Sequence, residues 1–474
     1  MAGLSIASAF AVLAPTLGPV SSPTIVWLRD DLRLSDNPAL QWASERGEPI
    51  VLVYLLDEAS PELRPLGGAS KWWLHHSLTS LASDAAAIGG QLILRRGAAR
   101  DVIPALVTES GAGAISWNRR YGASREIDQE LKTSLRDQGL EVESFQGSVL
   151  FEPWTITNKD GKPFQVFTPF WKNCLNQDAP REPLPAPKTL HSLPGVHSND
   201  VDQWGLLPTS PDWAGGLRET WTPGETGGHE RLRVFLESGL AIYHRRDEPG
   251  IVATSMLSPH LRFGEVSPFQ VWHETMLNSD SEAMKNRDKF LSEVGWREFM
   301  INVLYQHPRL HLDNIKTNFD HFPWGEPTAE ELRAWQKGET GIPLVDAGMK
   351  ELWHTGYMHN RVRMVAASFL IKNMLVHWRV GEQWFWDTLV DADEANNPGS
   401  WQWVAGCGTD AAPYFRVFNP VVQAEKFDPE GIYRSRWVPE YLMPGYPEPI
   451  VDLAETRQRA LTAFEVTKAS HPAG

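Results

Sequence analysis

Cysteine is nearly absent from this chain of 474 residues, and long apolar runs are missing. The two cysteines, Cys174 and Cys407, cannot build a disulfide framework, and such rare thiols are typical of buried side chains in a reducing compartment. No apolar segment reaches the length of a membrane span, which takes roughly 20 residues. We therefore expect a cytoplasmic protein with no membrane partner.

Basic residues are missing from the N-terminal segment and are outnumbered in the whole chain. The first Arg or Lys is Arg29, so residues 1–22 lack the basic start of a secretory signal and the arginines of a transit peptide. We expect a disordered extension there, with a cleaved signal as the alternative. The formal net charge of −15 argues against a protein that coats nucleic acid by bulk electrostatics, but it leaves room for a local basic patch.

A glycine-rich phosphate fingerprint is also missing near the N-terminus. Between residues 23 and 150, short apolar runs alternate with segments of helical spacing; the runs are TIVWLR, PIVLVYLLD, GQLILRRG, AISWN and VESFQG. This alternation predicts an α/β domain with a doubly wound parallel sheet. Because WLRDDLRLSDNPAL follows the first run in place of the glycines, we do not expect an ordinary NAD site.

The composition and periodicity of the remaining chain define two further regions. Residues 151–228 are rich in Pro, Gly and Trp with little periodicity, which predicts a long connector packed over the surface. Residues 229–474 carry helical spacing, including one long pattern at residues 343–378, and predict an all-α domain. Tryptophan is abundant, with 21 residues against 9 tyrosines.

Hydroxyl side chains precede a helical pattern at Thr254, Ser255 and Ser258. Such residues commonly cap a helix, and the same groups can bind phosphate. Tyr243 and Arg246 lie a few residues earlier and favour an anion site. Both interpretations stay open at this point.

Two further helical segments carry charge. Glu293 and Arg297 have the i, i+4 spacing of a surface ion pair, which would leave Trp296 in the core. Arg361 and Arg363 belong to the most basic local segment, since residues 352–380 contain four Lys or Arg and no Asp or Glu. That segment is either a solvated helix face or a strip that contacts phosphates.

The stretch DADEANNPGSWQW, residues 391–403, places polar side chains between two apolar, tryptophan-rich segments. Buried carboxylates need partners, and Arg363 is a candidate partner for them. Asp391 and Asp393 also suit a hard cation, but no third carboxylate with a known cation spacing follows, so we expect no metal site. A large polar cofactor accounts best for this stretch.

These stretches, together with WLRDDLRLSDNPAL and the run WQWVAGCGTDAAPYFRVFNPVVQAEKFDPEGIYRSRWVPE, resemble the photolyase/cryptochrome family from Thr24 to Pro439. The likeness is greatest to class I type cyclobutane pyrimidine dimer photolyases. It implies an antenna-binding α/β domain, a long connector, and an all-α domain that holds U-shaped FAD. The implied enzyme is a monomer, associated with the nucleoid when bound to DNA, that splits the dimers of UV-damaged DNA with an electron from photoexcited reduced FAD.

The resemblance also implies roles for individual residues around FAD. Asn397 matches the asparagine that faces flavin N5, where its amide oxygen can accept the N5–H of the reduced ring. Trp401, Trp378 and Trp324 match a tryptophan triad that passes electrons to the flavin. The implied cofactor contacts are Tyr243, Thr254, Ser255, Met256, Leu257, Ser258, Phe290, Asn360, Arg363, Asp391, Ala392, Asp393 and Asn397.

A second set of residues matches the pocket for the lesion. Two aromatic faces suit a flipped-out pair of joined pyrimidines, and Glu and Asn side chains can bond their edges. The implied lesion contacts are Glu293, Trp296, Asn360, Met364 and Trp403, with Glu293 also in the catalytic set. Arg246, Arg297 and Arg361 would contact the flanking DNA.

The antenna chromophore and one packing position depart from the common pattern. Tyr357 stands where many members have Trp. His311 and Leu312 occupy positions that some folate-binding members use, and Asn118 and Arg119 lie in the antenna region. The second chromophore therefore stays open between methenyltetrahydrofolate, a deazaflavin and another flavin.

Other functions within and beyond the family also stay open. A signalling cryptochrome would keep FAD and the tryptophans, but only residues 440–474 follow Pro439, where such proteins often have a long tail. A (6-4) photolyase would place a histidine pair where this chain has NRVRM, residues 360–364. A flavoprotein electron carrier would leave the arginines and the Trp296/Trp403 pair unexplained.

Overall fold

The chain begins with five strands that alternate with four helices. The computed structural model describes residues 22–278, 284–410 and 415–470, so the extension predicted for residues 1–22 lies almost wholly outside the described residues. The elements of this first part are β1 Thr24–Leu28, α1 Pro38–Glu45, β2 Ile50–Leu56, α2 Gly68–Ala87, β3 Leu92–Arg96, α3 Ala99–Ser110, β4 Ala114–Asn118, α4 Ser124–Asp137 and β5 Glu141–Phe145.

The five strands form one parallel sheet in the order β3-β2-β1-β4-β5. Successive side chains of a strand point to opposite faces. Val26 and Leu52 accordingly pack with α1 and α2, whereas Ile25 and Val51 pack with α3 and α4. Both faces are covered by helices, and the prediction of a doubly wound parallel sheet is confirmed.

The loop after β1 joins the sheet to the helical part of the chain. Arg33 is fully buried, and its guanidinium donates to Gly264 O at 2.8 Å and to Gly147 O at 2.8 Å. Gly264 has a φ of +64°, and a side chain there would collide with the backbone of Asp30. The motif that replaces the phosphate fingerprint therefore docks two parts of the chain onto each other.

Part of the predicted connector enters the core. Within it, α5 Phe167–Cys174 and α6 Gly215–Thr220 are helical, and Phe170, Trp171 and Cys174 are buried together with side chains of the long helix at residues 284–306. The expectation of surface packing is wrong for this segment, because its apolar residues share one helix face. Helix α7, Glu225–Val234, also crosses the boundary that we drew between residues 228 and 229.

The rest of the described chain is helical, as predicted. Its helices are α8 Ser258–Arg262, α9 Pro268–Leu277, α10 Met284–Gln306, α11 Ala329–Lys337, α12 Pro343–Thr355, α13 Asn360–Ser368, α14 Trp378–Thr388, α15 Asn396–Ala405, α16 Pro420–Phe427, α17 Ile432–Trp437 and α18 Leu453–Ser470. Among the described helices, none is both long and apolar enough to span a membrane.

The long helical pattern at residues 343–378 is broken into separate helices. Helix α12 ends at Gly356, whose φ of +67° is the left-handed geometry that glycine adopts easily. Helix α13 then passes into a single π-helical turn, and Leu375 has a φ of +55° before α14 begins. These breaks place the start of α13 and Phe385 of α14 at a common cavity.

Candidate functional site

A cavity of about 480 Å³ lies between α10, α13, α14 and α15. This volume is typical of sites for small organic ligands, which enclose roughly 300 to 1,000 Å³. The lining includes the following predicted site residues: Tyr243, Ser255, Leu257, Ser258, Phe290, Glu293, Trp296, Arg297, Asn360, Arg363, Met364, Asp391, Ala392, Asp393, Asn397, Trp401 and Trp403. The predicted residues Thr254, Met256, Arg246, Arg361, Trp378 and Trp324 are outside this lining.

An arginine–aspartate pair forms one wall of the cavity. Arg363 Nη1 and Nη2 lie 3.1 and 2.9 Å from the two carboxylate oxygens of Asp391, whose side chain is 4% exposed. Ser258 Oγ donates to the same carboxylate at 2.6 Å. The helix α8 has no side-chain cap at Leu257, so the capping interpretation of these hydroxyls is wrong for Ser258. Its hydroxyl instead helps to fix the acidic wall.

Tyr357 supports this wall from behind. Its ring centroid lies 6.0 Å from that of Trp221 and 5.0 Å from the guanidinium carbon of Arg363. Burial raises the pKa of Tyr357 to about 12, so the phenol stays neutral. A tyrosine at this position thus preserves aromatic packing beneath the arginine.

Asp393 organises the start of α15. Its Oδ1 accepts hydrogen bonds from the backbone N–H groups of Ala395 and Asn396, at 2.7 and 2.6 Å, and its Oδ2 accepts one from Asn396 Nδ2 at 2.8 Å. Oδ2 accepts only one of these hydrogen bonds and so keeps a further lone pair for a ligand. The first role of this side chain is therefore to set the direction of the helix that carries Asn397, Trp401 and Trp403.

Asn397 has a fixed amide orientation. Its Nδ2 donates to Glu382 Oε1 at 2.8 Å and to Glu382 O at 3.1 Å. A carboxylate can only accept, which assigns the nitrogen to that side. Asn397 Oδ1 accepts no hydrogen bond from the described residues, so it is the atom left for a ligand.

Two tryptophans form the aromatic mouth of the cavity. Trp296 stacks on Phe167 with ring centroids 3.9 Å apart and planes at 11°. Trp403 Nε1 donates to Asp410 O at 3.1 Å, and the Asp410 N–H donates to Gln165 O at 3.0 Å. The connector segment 165–167 thus supports both aromatic side chains.

The acidic group at the mouth has different partners from those predicted. Glu293 Oε1 lies 2.8 Å from Lys289 Nζ and 3.7 Å from Arg246 Nε. The pair predicted between Glu293 and Arg297 does not form, because Arg297 Nη1 donates to Ser148 O at 2.7 Å and lies 3.3 Å from Glu298 Oε1. Arg297 Nη1 is thus bound to Ser148 of the N-terminal domain, and the contact of Arg297 with DNA stays a prediction.

The basic segment of residues 352–380 is not a single face. Arg361 pairs with Asp247 at 3.0 Å, and its guanidinium lies 4.3 Å above the ring of Phe427. Lys372 is buried, its Nζ donates to Arg416 O, and burial lowers its pKa to about 7. Neither the solvated face nor the phosphate strip describes this segment, because the helix breaks send its basic groups in different directions.

The three predicted relay tryptophans differ in their contact with the cavity and in their exposure. Trp401 lines the cavity, and its ring occupies the space where a side chain at Gly381 would be. Trp378 is fully buried one turn before Gly381, and its Nε1 donates to Asn314 Oδ1 at 2.8 Å. The ring of His377 lies 5.8 Å from Trp378 and 4.8 Å from Trp324, which is only partly buried.

A second cleft opens at the carboxyl edge of the sheet. Asn118 and Arg119 line it, together with charged groups of both domains such as Arg120 and Glu394. Ligands of open α/β sheets bind at this edge. His311 and Leu312 are not part of its lining, so the structure separates the two groups of residues that we associated with an antenna.

Several functional side chains were missed by the sequence analysis. Glu382, which orients Asn397, is an acidic residue in an apolar, tryptophan-rich helix, and that contrast is a usable signal. Phe167 and Asp410 support the aromatic mouth from remote segments. Arg64, which lies 2.6 Å from Glu382, carries no local signal because its partner is 318 residues away. In the described residues, no cluster of three or more His, Cys, Asp or Glu is arranged to hold a metal ion.

Two family models match this chain. Residues 24–188 match the family model described as DNA photolyase, and residues 290–443 match the FAD binding domain of DNA photolyase. The chain is 46% identical over 477 residues to a deoxyribodipyrimidine photo-lyase of Agrobacterium fabrum, covering 94% of this chain and 98% of that protein. It is 34% identical over 434 residues to cryptochrome-2 of Arabidopsis thaliana, covering 88% and 70%.

A solved structure agrees over nearly the whole chain. The crystal structure of a bacterial class III photolyase from Agrobacterium tumefaciens has a TM-score of 0.90 and 44% identity, and covers 98% of this chain and 100% of that one. This match does not support the more specific expectation that the chain is most like a class I type photolyase. The match to the FAD-binding domain supports FAD as the ligand of the cavity. The size and the polar wall of the cavity fit that cofactor. The chain therefore belongs to the photolyase/cryptochrome family.

Proposed function

We propose that this protein is a light-driven DNA repair enzyme that splits cyclobutane pyrimidine dimers. The observation that carries the proposal is the combination, in one cavity, of a preformed polar wall and an aromatic mouth. A redox carrier needs only the first of these. A DNA-binding module needs only the second.

The polar wall suits FAD. Arg363 and Ser258 hold Asp391 in place, and its Oδ1, which accepts only one of these hydrogen bonds, keeps a lone pair for a ligand. Asn397 presents an amide oxygen that can accept a hydrogen bond from a protonated ring nitrogen. A reduced flavin carries such an N–H group and an oxidised flavin does not, so this oxygen favours the reduced form. When bound, reduced FAD supplies a photoexcitable electron donor at this wall.

The aromatic mouth suits the lesion. Trp296 and Trp403 offer faces for stacking, and Glu293 and Asn360 offer groups for the carbonyl and imide edges of the bases. A dimer pairs poorly in a duplex, so flipping it out costs less than the few kcal/mol needed for an intact base. Splitting its ring breaks two C–C bonds and yields two pyrimidines, without net oxidation or reduction.

The buried tryptophans suit a relay to the cavity. Indole is among the more easily oxidised side chains, and Trp401, Trp378 and Trp324 run from the cavity wall to a partly exposed position. Burial lowers the pKa of His377, which lies between the last two, to about 4. A neutral ring there places no positive charge beside an oxidised indole.

The cleft at the sheet edge is our candidate site for a second, light-harvesting chromophore. Its location and mixed charge support a polar ring system, and its identity stays open between a folate, a deazaflavin and a flavin. We further propose that the protein works as a monomer in the cytoplasm, at the nucleoid. Both cysteines are free and buried, as expected in a reducing compartment.

A signalling cryptochrome is the second candidate, because a plant cryptochrome is also similar. A repair assay separates the two functions. The FAD-loaded, reduced protein is mixed with DNA that carries a cyclobutane dimer and is then illuminated. We expect loss of the dimer in light and no loss in darkness. A protein that binds FAD and is photoreduced, yet leaves the dimer intact, would favour the photoreceptor.

A further inference from the structure

A short segment of the N-terminal domain is clamped onto α14. Arg64 stacks over Trp386, with its guanidinium carbon 4.1 Å from the ring centroid. Trp386 Nε1 donates to Pro65 O at 2.9 Å, and the Gly68 N–H donates to Asp387 Oδ1 at 2.8 Å. The backbone approaches so closely at Gly67 that a side chain there would lie 2.1 Å from Trp386 O. The segment 64–68 therefore has one well-defined position against the helix.

Arg64 uses this position to reach a buried carboxylate. Its Nη1 and Nη2 lie 2.6 and 3.0 Å from the two oxygens of Glu382, the forked geometry that arginine forms with carboxylates. The Glu382 side chain is 2% exposed, and that of Arg64 is 17% exposed. Glu382 stands on the same helix as Trp378 and faces α15.

Arg64 acts on Asn397 through Glu382. The oxygen of Glu382 that binds Arg64 Nη1 also accepts the Asn397 amide at 2.8 Å. Burial raises the pKa of Glu382, so this carboxyl depends on its partners to stay ionised. An ionised carboxylate accepts only, whereas a protonated one both donates and accepts and no longer specifies which end of the amide faces it.

We propose that Arg64 is a positioning residue: it fixes Glu382, which in turn directs the amide oxygen of Asn397 into the cavity. The N-terminal domain thereby contributes to the redox properties of a flavin bound in the helical domain. This inference rests on the proposed function for the placement of flavin N5 beside Asn397. It assigns to the interdomain clamp a chemical role in addition to its structural one.

The test is the midpoint potential of bound FAD for its first one-electron reduction. In Arg64→Met the apolar stem still packs on Trp386, but the charge and the fork are lost. We expect the one-electron reduced form to become about tenfold less stable relative to the oxidised form. This corresponds to a fall of about 59 mV in the midpoint potential. Arg64→Lys restores the charge without the fork and should recover part of the shift.

Two controls separate positioning from general destabilisation. Arg95→Met removes an arginine–glutamate pair of similar length, 2.6 Å to Glu109, within the N-terminal domain and should leave the potential unchanged. In an Asn397→Ser background, Arg64→Met should no longer shift the potential, because the amide through which Arg64 acts is absent. A purely structural role would give the same shift in both backgrounds.

The outcomes for this inference and for the proposed function are distinct. Equal potentials for the wild type and Arg64→Met would overturn the role of Arg64, whether or not repair occurs. A wild type that binds FAD and shows the Arg64 shift, but does not repair dimers, would overturn the proposed function alone. A wild type that takes up no FAD would overturn both.

Discussion

The inner wall and the mouth of the cavity are built differently. On the inner wall, Asp391 and Asn397 are buried, and each is held by protein partners within about 3 Å. At the mouth, Trp296, Trp403 and Glu293 are only partly buried, and the partner of Glu293 at 2.8 Å is Lys289, which is itself partly exposed. The wall groups are buried and held by short hydrogen bonds, whereas the mouth groups remain partly exposed to an incoming ligand.

This difference indicates two ligands with different residence times. A preformed polar wall suits a cofactor that is bound once and kept, because no ordering of side chains opposes its binding. A partly exposed aromatic mouth suits a polymer that must enter, stack and leave. Variants of the two regions should therefore fail in different assays.

The largest effect is expected at the inner wall. Asp391→Ala leaves the partly buried Arg363 without its carboxylate partner and removes an oxygen acceptor from the wall, so FAD affinity should fall by about 100-fold, or ~2.7 kcal/mol. Flavin absorbance after gel filtration measures retention. Asp428→Ala, which breaks the pair with Arg434 elsewhere in the helical domain, is the matched control and should retain FAD. Full FAD occupancy in Asp391→Ala would remove the wall from the cofactor site.

Behind the wall, Trp378→Phe should stop photoreduction of oxidised FAD, because phenylalanine is much harder to oxidise than tryptophan. Bleaching of the flavin band under blue light measures this rate. Repair by protein that was reduced chemically beforehand should continue. Trp437→Phe is the control, and photoreduction at the wild-type rate in Trp378→Phe would mean that electrons take another path.

At the mouth, Trp296→Ala should weaken binding of dimer-containing DNA while FAD stays bound. Base–aromatic stacking contributes roughly 1 to 3 kcal/mol, so the loss should be between about 5-fold and 150-fold. Fluorescence anisotropy with dimer-bearing and undamaged oligonucleotides measures the difference. Trp154→Ala, at an exposed tryptophan outside the cavity, should not change it. Unchanged discrimination would remove Trp296 from the lesion pocket.

The smallest effect concerns the support of the wall. Glu351 accepts hydrogen bonds from Tyr433 Oη and the His359 N–H, and burial raises its pKa to about 7. The folded state therefore binds more protons than the unfolded state between about pH 4.5 and 7, so the contribution of Glu351 to stability falls as pH rises, by up to about 1.4 kcal/mol per pH unit. In urea denaturation, Glu351→Gln should flatten this slope. An identical slope in the variant would contradict the role of Glu351.

The fold follows closely from local patterns in the sequence. All five strands were predicted from short apolar runs. Strands β1, β2 and β4 are buried on both faces, which leaves a continuous apolar signal. The helix breaks after α12 and α13 were missed, since the apolar pattern continues through Gly356 and Leu375. The helix α5 was missed because its proline-rich surroundings dominate the composition of the connector.

The site was predictable where its residues are close in sequence or belong to a family motif. The Asp391–Arg363 pair was anticipated from an excess of buried polar groups. The orientation of Arg297 was not, because Ser148, whose carbonyl accepts its hydrogen bond, lies 149 residues away and becomes a neighbour only after the domains dock. Arg64 illustrates the same limit, since no local pattern connects it with Glu382.

The most direct test of dimer repair is illumination of the purified, reduced holoenzyme with dimer-bearing oligothymidylate. We expect thymine absorbance to recover in the light, to stay constant in darkness, and to recover more slowly with Trp296→Ala at low substrate concentration. A protein that carries reduced FAD, binds the oligonucleotide and shows no light-dependent recovery would mean that this protein does not repair the dimer.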